Sequence, residues 1–304
     1  MTNPPPQPSA LPVAPVRVGP GGRRATLLVT CPDRPGLVAT VTGFLYNHGV
    51  NILQLDQHVT EGGADAATFF MRVAFEAPPV DGLRSALEAA FDVVVAQRFG
   101  MQWRLSWAAD VARVAVLVSK HDHALMELLW RWRRHELPCQ VSAIISNHTD
   151  AKKAAADFAL PFHLVPSDDK ATAEAELREL LVGVDLVVLA RYMQILSPGF
   201  VADFPNRIIN IHHSFLPAFV GAKPYHQAHL RGVKLIGATA HYVTAELDQG
   251  PIIEQDVIRV SHRHTAPELV ALGRDIERQV LARAVRWHLE QRVIVHDGKT
   301  VVFI

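Results

Sequence analysis

Short apolar segments alternate with longer amphipathic segments through much of residues 109–304. The apolar segments predict strands at 113–118, 141–146, 162–165, 185–190 and 207–211. The segments between the first four repeat apolar residues at helical spacing, near 122–136, 151–159 and 170–182. This alternation predicts a doubly wound, mostly parallel α/β sheet with helices on both faces.

The end of the chain continues this pattern with longer elements. Two further strands are predicted at 235–243 and 252–260. Thr265 followed by Glu268 forms a capping-box signature at the start of a long amphipathic helix. A final strand pair is predicted within 292–303, with its turn at Asp297-Gly298.

Residues 23–108 carry a different order of elements. Strands are predicted at 25–31, 50–59, 67–75 and 99–107, with helices after Gly36 and over 80–96. The order β-α-β-β-α-β is that of ferredoxin-like domains. We therefore expect two domains, 23–108 and 109–304. Residues 1–22 are rich in proline and glycine and predict a disordered tail.

Composition excludes several classes of protein. The 304 residues include 30 Lys and Arg against 30 Asp and Glu, which argues against a nucleic-acid binder or a polybasic membrane binder. No apolar run is long enough for a transmembrane helix, and no secretory signal is visible. Cys31 and Cys139 are too few for a disulfide framework. These features predict a cytoplasmic protein.

The densest polar cluster follows the predicted strand 207–211. Asn210 and His212 are two residues apart, so on a strand their side chains face the same side. This lies at the carboxyl end of a parallel strand, where α/β sheets bind ligands. An amide donor beside an imidazole suits oxyanion stabilisation and proton transfer. Asp248, in a turn-rich stretch, could orient His212 or hold a water, although each residue also has ordinary structural roles at such positions.

Longer motifs resemble a known family. Asn210-Ile211-His212 with Ser214-Phe215-Leu216-Pro217, followed by His241 to Asp248 and Gly250-Pro251, resembles the signature of folate-dependent formyltransferases. Cys31 to Gly36 with Gly49 to Ile52 resembles an ACT domain. With Val118-Ser119-Lys120 and Gly221 to Ala228, the layout resembles the formyltetrahydrofolate deformylase family. That family hydrolyses 10-formyltetrahydrofolate to formate and tetrahydrofolate, which supplies formate for purine biosynthesis and balances the folate pool.

The resemblance implies a role for each site residue. Asn210 would donate to the formyl oxygen, His212 would stabilise the oxyanion and help protonate the leaving nitrogen, and Asp248 would position the attacking water. The implied substrate-binding residues are Met193, Gln194, Ile195 and Leu196 for the pterin ring, with His241, Thr244 and His226 around the site. Gln194 stands where many relatives carry Arg. No cofactor is expected, because the folate is the substrate.

Two other functions remain as alternatives. A transferase to an amine such as glycinamide ribonucleotide needs a phosphate cradle, usually a glycine-rich loop at a helix N-terminus. The loop from Ser119 to His123 contains no glycine, which favours water as the nucleophile. A non-catalytic amino-acid or folate sensor is disfavoured by the presence of Asn210, His212 and Asp248 together.

The ACT resemblance implies regulation and self-association. Asp33, Arg34, Gly36, Asn47 and Asn51 would line an amino-acid site, for which glycine or methionine is the expected ligand, in a homo-oligomer. Turn and cap chemistry alone would also explain these residues. The histidine pairs give only a weak metal signal, because His212 and His213 face opposite sides of a strand. We therefore predict no metal site.

Overall fold

The protein is described by a computed structural model over residues 23–61, 67–217 and 224–304. The expected tail at 1–22 and the residues Gly221, Ala222 and Lys223 of the family-like motif lie outside the described residues. Among the helices that are described, none is both long and apolar enough to cross a bilayer.

The N-terminal part forms a four-stranded antiparallel sheet covered by helices on one face. Its elements are β1 (Arg24–Pro32), α1 (Leu37–Asn47), β2 (Asn51–Val59), β3 (Thr68–Glu76), α2 (Leu83–Phe91), a π-helical turn (Asp92–Ala96), α3 (Gln97–Phe99) and β4 (Gln102–Trp107). The strand order is β2-β3-β1-β4. The predicted β-α-β-β-α-β order is confirmed.

One boundary in this part differs from the prediction. The helical segment continues through the π-helical turn as far as Phe99, and β4 begins at Gln102 rather than at 99. Gly100 ends the helix, because its φ of 61° is in the left-handed region that glycine adopts without strain. The π-helical turn exposes Val93 and Val94 and leaves Val95 buried against the core. Helical periodicity of 3.6 residues does not anticipate this insertion.

The C-terminal part is built on a seven-stranded sheet. Its elements are β5 (Ala112–Val118), α4 (His123–Arg133), β6 (Cys139–Ser146), α5 (Lys152–Asp157), β7 (Phe162–Leu164), α6 (Lys170–Leu180), β8 (Leu186–Leu189), α7 (Pro198–Ala202), β9 (Ile208–His212), α8 (Pro224–Leu230), β10 (Leu235–Tyr242), β11 (Ile252–Arg259), α9 (Ala266–Leu289), β12 (Val293–His296) and β13 (Lys299–Val302). The order is β11-β10-β9-β8-β5-β6-β7. Strands β5 to β9 are parallel to one another, whereas β10 pairs antiparallel with both of its neighbours, β9 and β11.

The strand order positions a site. From β5 the chain proceeds outward to β6 and β7 and then returns to β8 on the other side of β5. The order therefore reverses between β5 and β8, and open α/β sheets bind ligands outside the carboxyl ends of the strands at such a point. Ser119 after β5 and Arg191 after β8 meet there through a backbone hydrogen bond from Ser119 N to the Arg191 carbonyl, at 3.2 Å.

The two layers of helices bury separate apolar clusters on the two faces of this sheet. The cluster on one face includes residues of α4, α5, α8 and α9, with Leu125, Tyr225 and Val280 among its members. The cluster on the other face includes residues of α6 and α7, such as Leu177 and Phe200. The predicted doubly wound arrangement is confirmed. The short helices α7 and α8 were not predicted, although Ser197 caps α7 and Pro198 occupies its first turn.

The long helix α9 begins as the sequence predicts. The Thr265 hydroxyl and the Glu268 side chain form a capping box at its N-terminus. At its other end, the carbonyls of Glu290 and Gln291 accept hydrogen bonds from the Arg72 guanidinium of β3, at 3.2 and 3.0 Å. Helix α9 is therefore fixed at its C-terminal end by the N-terminal sheet.

An apolar contact reinforces this junction. Leu28 of β1 and Phe70 of β3 form a buried cluster with Ile294 of β12 and Phe303. Because neighbouring residues of a strand face opposite sides, Leu27 and Val29 instead enter the core under α1 and α2. One face of the N-terminal sheet thus packs on its own helices, and the other packs on the C-terminal hairpin.

Candidate active site

A cavity of about 670 Å³ opens at the carboxyl ends of β5, β8 and β9. It lies at the position where the strand order reverses. Every predicted catalytic and substrate-binding residue lines it: Asn210, His212, Asp248, Met193, Gln194, Ile195, Leu196, His241, Thr244 and His226. The structure therefore places all of these side chains around one space.

Asn210 and His212 face this cavity from β9. Asn210 pairs with His241 of β10 and His212 pairs with Thr239, so the two strands hold the pair in a fixed register. Ile211 between them is buried in the core on the other side of the strand. The sequence-based expectation that Asn210 and His212 share a side agrees with this geometry.

Asp248 reaches back to His212 from the connection between β10 and β11. Its Oδ1 lies 3.2 Å from Nδ1 of His212. The hydrogen bond with His212 holds the pKa of the Asp248 carboxyl below its usual value, although partial burial opposes the shift. Because a carboxylate only accepts hydrogen bonds, His212 Nδ1 carries a proton. Nε2 of His212 is buried and has no hydrogen-bond partner among the described residues.

His241 orders the amide of Asn210. Burial lowers the pKa of His241, and its Nδ1 lies 2.9 Å from the Tyr242 carbonyl. A carbonyl only accepts, so Nδ1 carries the proton and Nε2 of the neutral ring is an acceptor. Asn210 Nδ2 lies 3.3 Å from that Nε2 and donates one N–H to it. The amide nitrogen has a second N–H, which is available to a substrate oxygen.

The segment after β8 presents its backbone to the cavity. Met193 N–H donates to Ser119 Oγ at 3.0 Å, which anchors the start of the segment. Among the described residues, no hydrogen bond takes up the backbone of Gln194, Ile195 or Leu196. Met193 and Ile195 are exposed at 56% and 62%. Free backbone groups flanked by exposed apolar side chains suit a planar heterocycle with donors and acceptors on its edge.

Sequence reasoning missed a second polar cluster in the same cavity. Glu277 of α9 is 1% exposed and accepts hydrogen bonds from His123 and Tyr225. The sequence indicates that Glu277 is buried, because Gly273, Glu277 and Leu281 are spaced four apart on the buried face of α9. A carboxylate on that face requires buried partners.

The expected regulatory residues are not all brought together. Asp33, Arg34 and Gly36 line a cavity of about 340 Å³ with Val59 and other residues at one end of the N-terminal sheet. Asn47 and Asn51 lie at the opposite end of α1 and β2, where Asn51 pairs with Glu76. Within one chain these two groups belong to separate surfaces.

No group of three or more metal-binding side chains is arranged to hold an ion within the ranges that the structure describes. Cys31 and Cys139 are both buried, and neither forms a disulfide.

The comparisons with known proteins agree with this architecture. Residues 25–92 match the ACT domain family and residues 112–285 match the Formyl transferase family. The fold and the site define a two-domain protein in which an ACT domain precedes a formyl transferase domain.

Proteins of this complete layout are found among the curated relatives and the solved structures. A formyltetrahydrofolate deformylase of Bacillus subtilis is 51% identical over 284 residues, which cover 92% of this chain and 94% of the relative. A crystal structure of a formyltetrahydrofolate deformylase from Pseudomonas syringae pv. tomato is 48% identical with a TM-score of 0.88, covering 93% of this chain and 95% of that one. The chain belongs to the formyltetrahydrofolate deformylase family.

The C-terminal domain alone is shared more widely. A glycinamide ribonucleotide transformylase of Symbiobacterium toebii is 33% identical with a TM-score of 0.61. The match covers 64% of this chain and 95% of the transformylase chain. The same domain therefore occurs in proteins named for an amine acceptor.

Proposed function

We propose that this protein hydrolyses 10-formyltetrahydrofolate to formate and tetrahydrofolate. The observation that carries the proposal is the arrangement of Asn210, His212 and Asp248 around one cavity, in a chain that belongs to the deformylase family. The two buried, unpaired cysteines suit a reducing compartment, and we place the reaction in the cytoplasm.

The chemistry requires an activated water and a stabilised oxyanion. Water oxygen bonds to the formyl carbon while the carbonyl electrons move onto the formyl oxygen. The free N–H of Asn210 donates to that oxygen. Nε2 of His212, which is buried at the cavity, is the atom that takes up and returns a proton during the reaction. The bond from carbon to N10 then breaks, N10 takes a proton, and formate leaves with the net release of one proton to solvent.

Asp248 serves this step in two ways. Through its contact with His212 Nδ1 it fixes the imidazole tautomer, so that Nε2 faces the reacting atoms. Its lowered pKa keeps the carboxylate charged at neutral pH, and a charged carboxylate can hold the attacking water by accepting its proton in a hydrogen bond. His241 and Thr244 line the cavity beside it.

The pterin ring is assigned to the segment from Met193 to Leu196. The unused backbone groups of Gln194, Ile195 and Leu196 offer both donors and acceptors. Since these contacts use the main chain, the side chain of Gln194 is not required for them. His226 lines the same cavity and is assigned to the substrate side.

The test is formate release from 10-formyltetrahydrofolate in buffer that contains no amine acceptor. The expected result is steady formate release by the wild type and its loss in Asn210→Ala. Formate release that requires an added amine would identify a transferase instead. Release by Asn210→Ala at the wild-type rate would show that the cavity is not the site of hydrolysis.

We further propose that the N-terminal domain binds an amino acid, glycine or methionine, in a homo-oligomer. Asp33, Arg34 and Gly36 around the smaller cavity support it. Arg34 is held there by a hydrogen bond to the Arg98 carbonyl and by its position over the Phe99 ring. Because Asn47 and Asn51 lie at the far end of the sheet, they belong to this site only where two copies meet.

The regulatory proposal is tested by titrating each amino acid while formate release is followed. An effector should change the rate in the wild type and lose its effect in Asp33→Asn, with the basal rate preserved in that variant. Analytical ultracentrifugation of the full chain measures the oligomer. An absence of any amino-acid effect would contradict the sensor function, and a monomer would contradict the oligomer.

A further inference from the structure

The active-site cavity has two unlike sides, separated by the edge of the sheet. Leu196 and Val243, on the side assigned to the pterin, pack against the apolar cluster that contains α6 and α7. Tyr225, on the other side, belongs to the cluster that contains α4 and α9. Asn210 and His212 lie between these sides, at the end of β9. A folate on the first side leaves the second side for the group that attacks the formyl carbon.

Hydrogen bonds to Glu277 form the wall of this second side. His123 Nε2 lies 2.8 Å from Oε2 of Glu277, and the Tyr225 hydroxyl donates to Oε1 at 2.7 Å. Arg191 Nε forms an ion pair with Oε2 of the same carboxylate at 3.5 Å, without a hydrogen bond. All four residues line the cavity. Both oxygens of Glu277 are therefore engaged by protein groups.

The packing around Tyr225 keeps this wall in place. Tyr225 is buried, and its ring lies directly against the backbone of α9 at Gly273. A Cβ at position 273 would overlap the ring, so this helix position has room for glycine alone. Gly273 is one turn from Glu277, and Tyr225 thus spans the distance from the helix backbone to the carboxylate.

His123 occupies the position at which a phosphate cradle would be needed. It begins α4, directly after the loop that follows β5. A cradle would direct free backbone N–H groups of a glycine-containing loop into the cavity. Here the first residue after the loop instead contributes an imidazole that hydrogen-bonds to a buried carboxylate.

An amine nucleophile makes demands that water does not. Its nitrogen carries further hydrogen atoms and a substituent, so it needs both an acceptor and room beside the formyl carbon. Glu277 is the carboxylate that faces this side, and its oxygens already accept from His123 and Tyr225. Related transformylases have the same C-terminal domain, so the choice of acceptor must depend on local groups such as these.

We propose that His123 and Tyr225 are specificity-determining residues, which engage both oxygens of Glu277 and close the acceptor side of the cavity to amines. This inference rests on the proposed hydrolysis. Water then remains as the nucleophile, positioned by Asp248. In a variant with an open wall, the amine nitrogen would bond to the formyl carbon and lose one proton. The bond to N10 would break, and N10 would gain a proton.

The experiment measures how the formyl group divides between water and an added amine. Wild type, His123→Ala and Tyr225→Phe are each supplied with 10-formyltetrahydrofolate and glycinamide, a small primary amine without a phosphate. Formate and N-formylglycinamide are quantified by mass spectrometry, and a mixture without enzyme corrects for spontaneous transfer. His123→Gln, which retains an N–H donor, is the matched control.

The expected result is formate alone from the wild type and from His123→Gln. In His123→Ala and Tyr225→Phe, the fraction of formyl groups on glycinamide should rise by about tenfold or more above the wild-type background. Circular dichroism and urea unfolding establish that each variant is folded. Since Tyr225→Phe retains the ring against Gly273, it supplies the answer if His123→Ala does not fold.

Three outcomes would overturn the inference. The variants could release formate and form no more formylated amine than the wild type. His123→Gln could form as much of it as His123→Ala, which would separate the effect from the hydrogen bond to Glu277. The folded variants could lose both products, which would make these residues part of catalysis. Failure of the wild type to release formate without an amine would instead contradict the proposed hydrolysis.

Discussion

Asp248 Oδ1 lies 3.2 Å from Nδ1 of His212, and this contact determines how the imidazole is presented to the cavity. It places the Nδ1 proton toward the carboxylate, while Nε2 of the same cavity-lining side chain is buried and unpaired among the described residues. Asp248 reaches this position with a φ of 57°, in the left-handed region. Backbone and side chain at Asp248 therefore both serve the contact.

Replacement of Asp248 by Asn tests this contact with little change to the backbone. Asn tolerates the left-handed region, whereas Ala does so poorly. The amide no longer accepts from His212 Nδ1 as a charged group, so formate release should fall roughly 10²-fold. His212→Gln should cause a similar loss, and the double variant should lose less than the product of the two effects.

Asp297→Asn is the matched control for that series. Asp297 also has a positive φ, of 47°, and it is exposed in the turn between β12 and β13. Its replacement should leave the rate of formate release unchanged. Independent, multiplicative losses in Asp248→Asn and His212→Gln would show that the two residues do not act as a unit.

Asn210→Ala should remove the donor to the developing oxyanion. The expected loss is on the order of 10²–10³ in kcat, with a smaller change in KM, because the oxyanion exists only after attack. Asn206→Gly, at an exposed turn with a positive φ just before the same strand, is the control. Steady-state kinetics of formate release would count against an oxyanion role if Asn210→Ala raised KM alone.

Replacing each of two helical glycines by alanine should change the free energy of unfolding in opposite directions. Gly43 in α1 has open space where a Cβ would stand, so Gly43→Ala should raise the free energy of unfolding by about 0.5–1 kcal/mol. Gly273→Ala should lower it by about 1–3 kcal/mol, since the new methyl group overlaps the Tyr225 ring. Urea denaturation measures both changes, and stabilisation by Gly273→Ala would contradict the packing described for Tyr225.

His288 should make stability depend on pH. Burial lowers its pKa to about 4 from 6.5, and Nδ1 of the neutral ring accepts from the Tyr242 hydroxyl. Below pH 6.5 the unfolded chain takes up a proton that the folded chain refuses, so stability falls as the pH drops toward 4. Between pH 7 and pH 5, His288 should lower the free energy of unfolding by about 2 kcal/mol.

The measurement is the difference in pH dependence between the wild type and His288→Gln. Urea unfolding at pH 7, 6 and 5 should show a shallower decline in the variant. His229→Gln, at an exposed position on α8, should retain the wild-type slope. Equal slopes in His288→Gln and the wild type would mean that His288 is not buried in its neutral form.

Arg72 should contribute strongly to the contact between the two parts of the chain. It is 5% exposed and donates to the carbonyls of Glu290 and Gln291 at the end of α9. Arg72→Met removes those donors and should cost about 1–3 kcal/mol in the free energy of unfolding. Arg23→Gln, which breaks an exposed ion pair with Glu76, should cost less than about 1 kcal/mol. Comparable losses in the two variants would contradict a special role for Arg72.

Periodicity and spacing predicted much of this architecture. The alternation of apolar strands with amphipathic helices specified the parallel sheet, and the two-residue spacing of Asn210 and His212 placed both side chains on one face. These inferences succeed because strand geometry is local. The separation of Asn47 and Asn51 from Asp33 could not be predicted in this way, because it depends on how α1 lies along the sheet.

For Glu277, the sequence predicts burial but not the residues that contact it. Its position on the buried face of α9 was visible in the spacing, but its partners were not. His123 and Tyr225 come from α4 and α8, far from α9 in sequence, and only the packed fold brings them to one carboxylate. Similarly, the π-helical turn at Asp92–Ala96 depends on which valines are buried in the core. A fixed helical period does not predict that choice.

Helix α9 gives the molecule a mechanical connection that neither domain has alone. Arg72 holds its C-terminal end, and thirteen residues earlier, about 20 Å along the axis, Glu277 forms a wall of the cavity. If a ligand of the N-terminal domain displaced β3 and the displacement reached Glu277 through this helix, the affinity of the cavity for folate would change. By thermodynamic reciprocity, a bound folate would then change the affinity of the N-terminal domain for that ligand by the same factor.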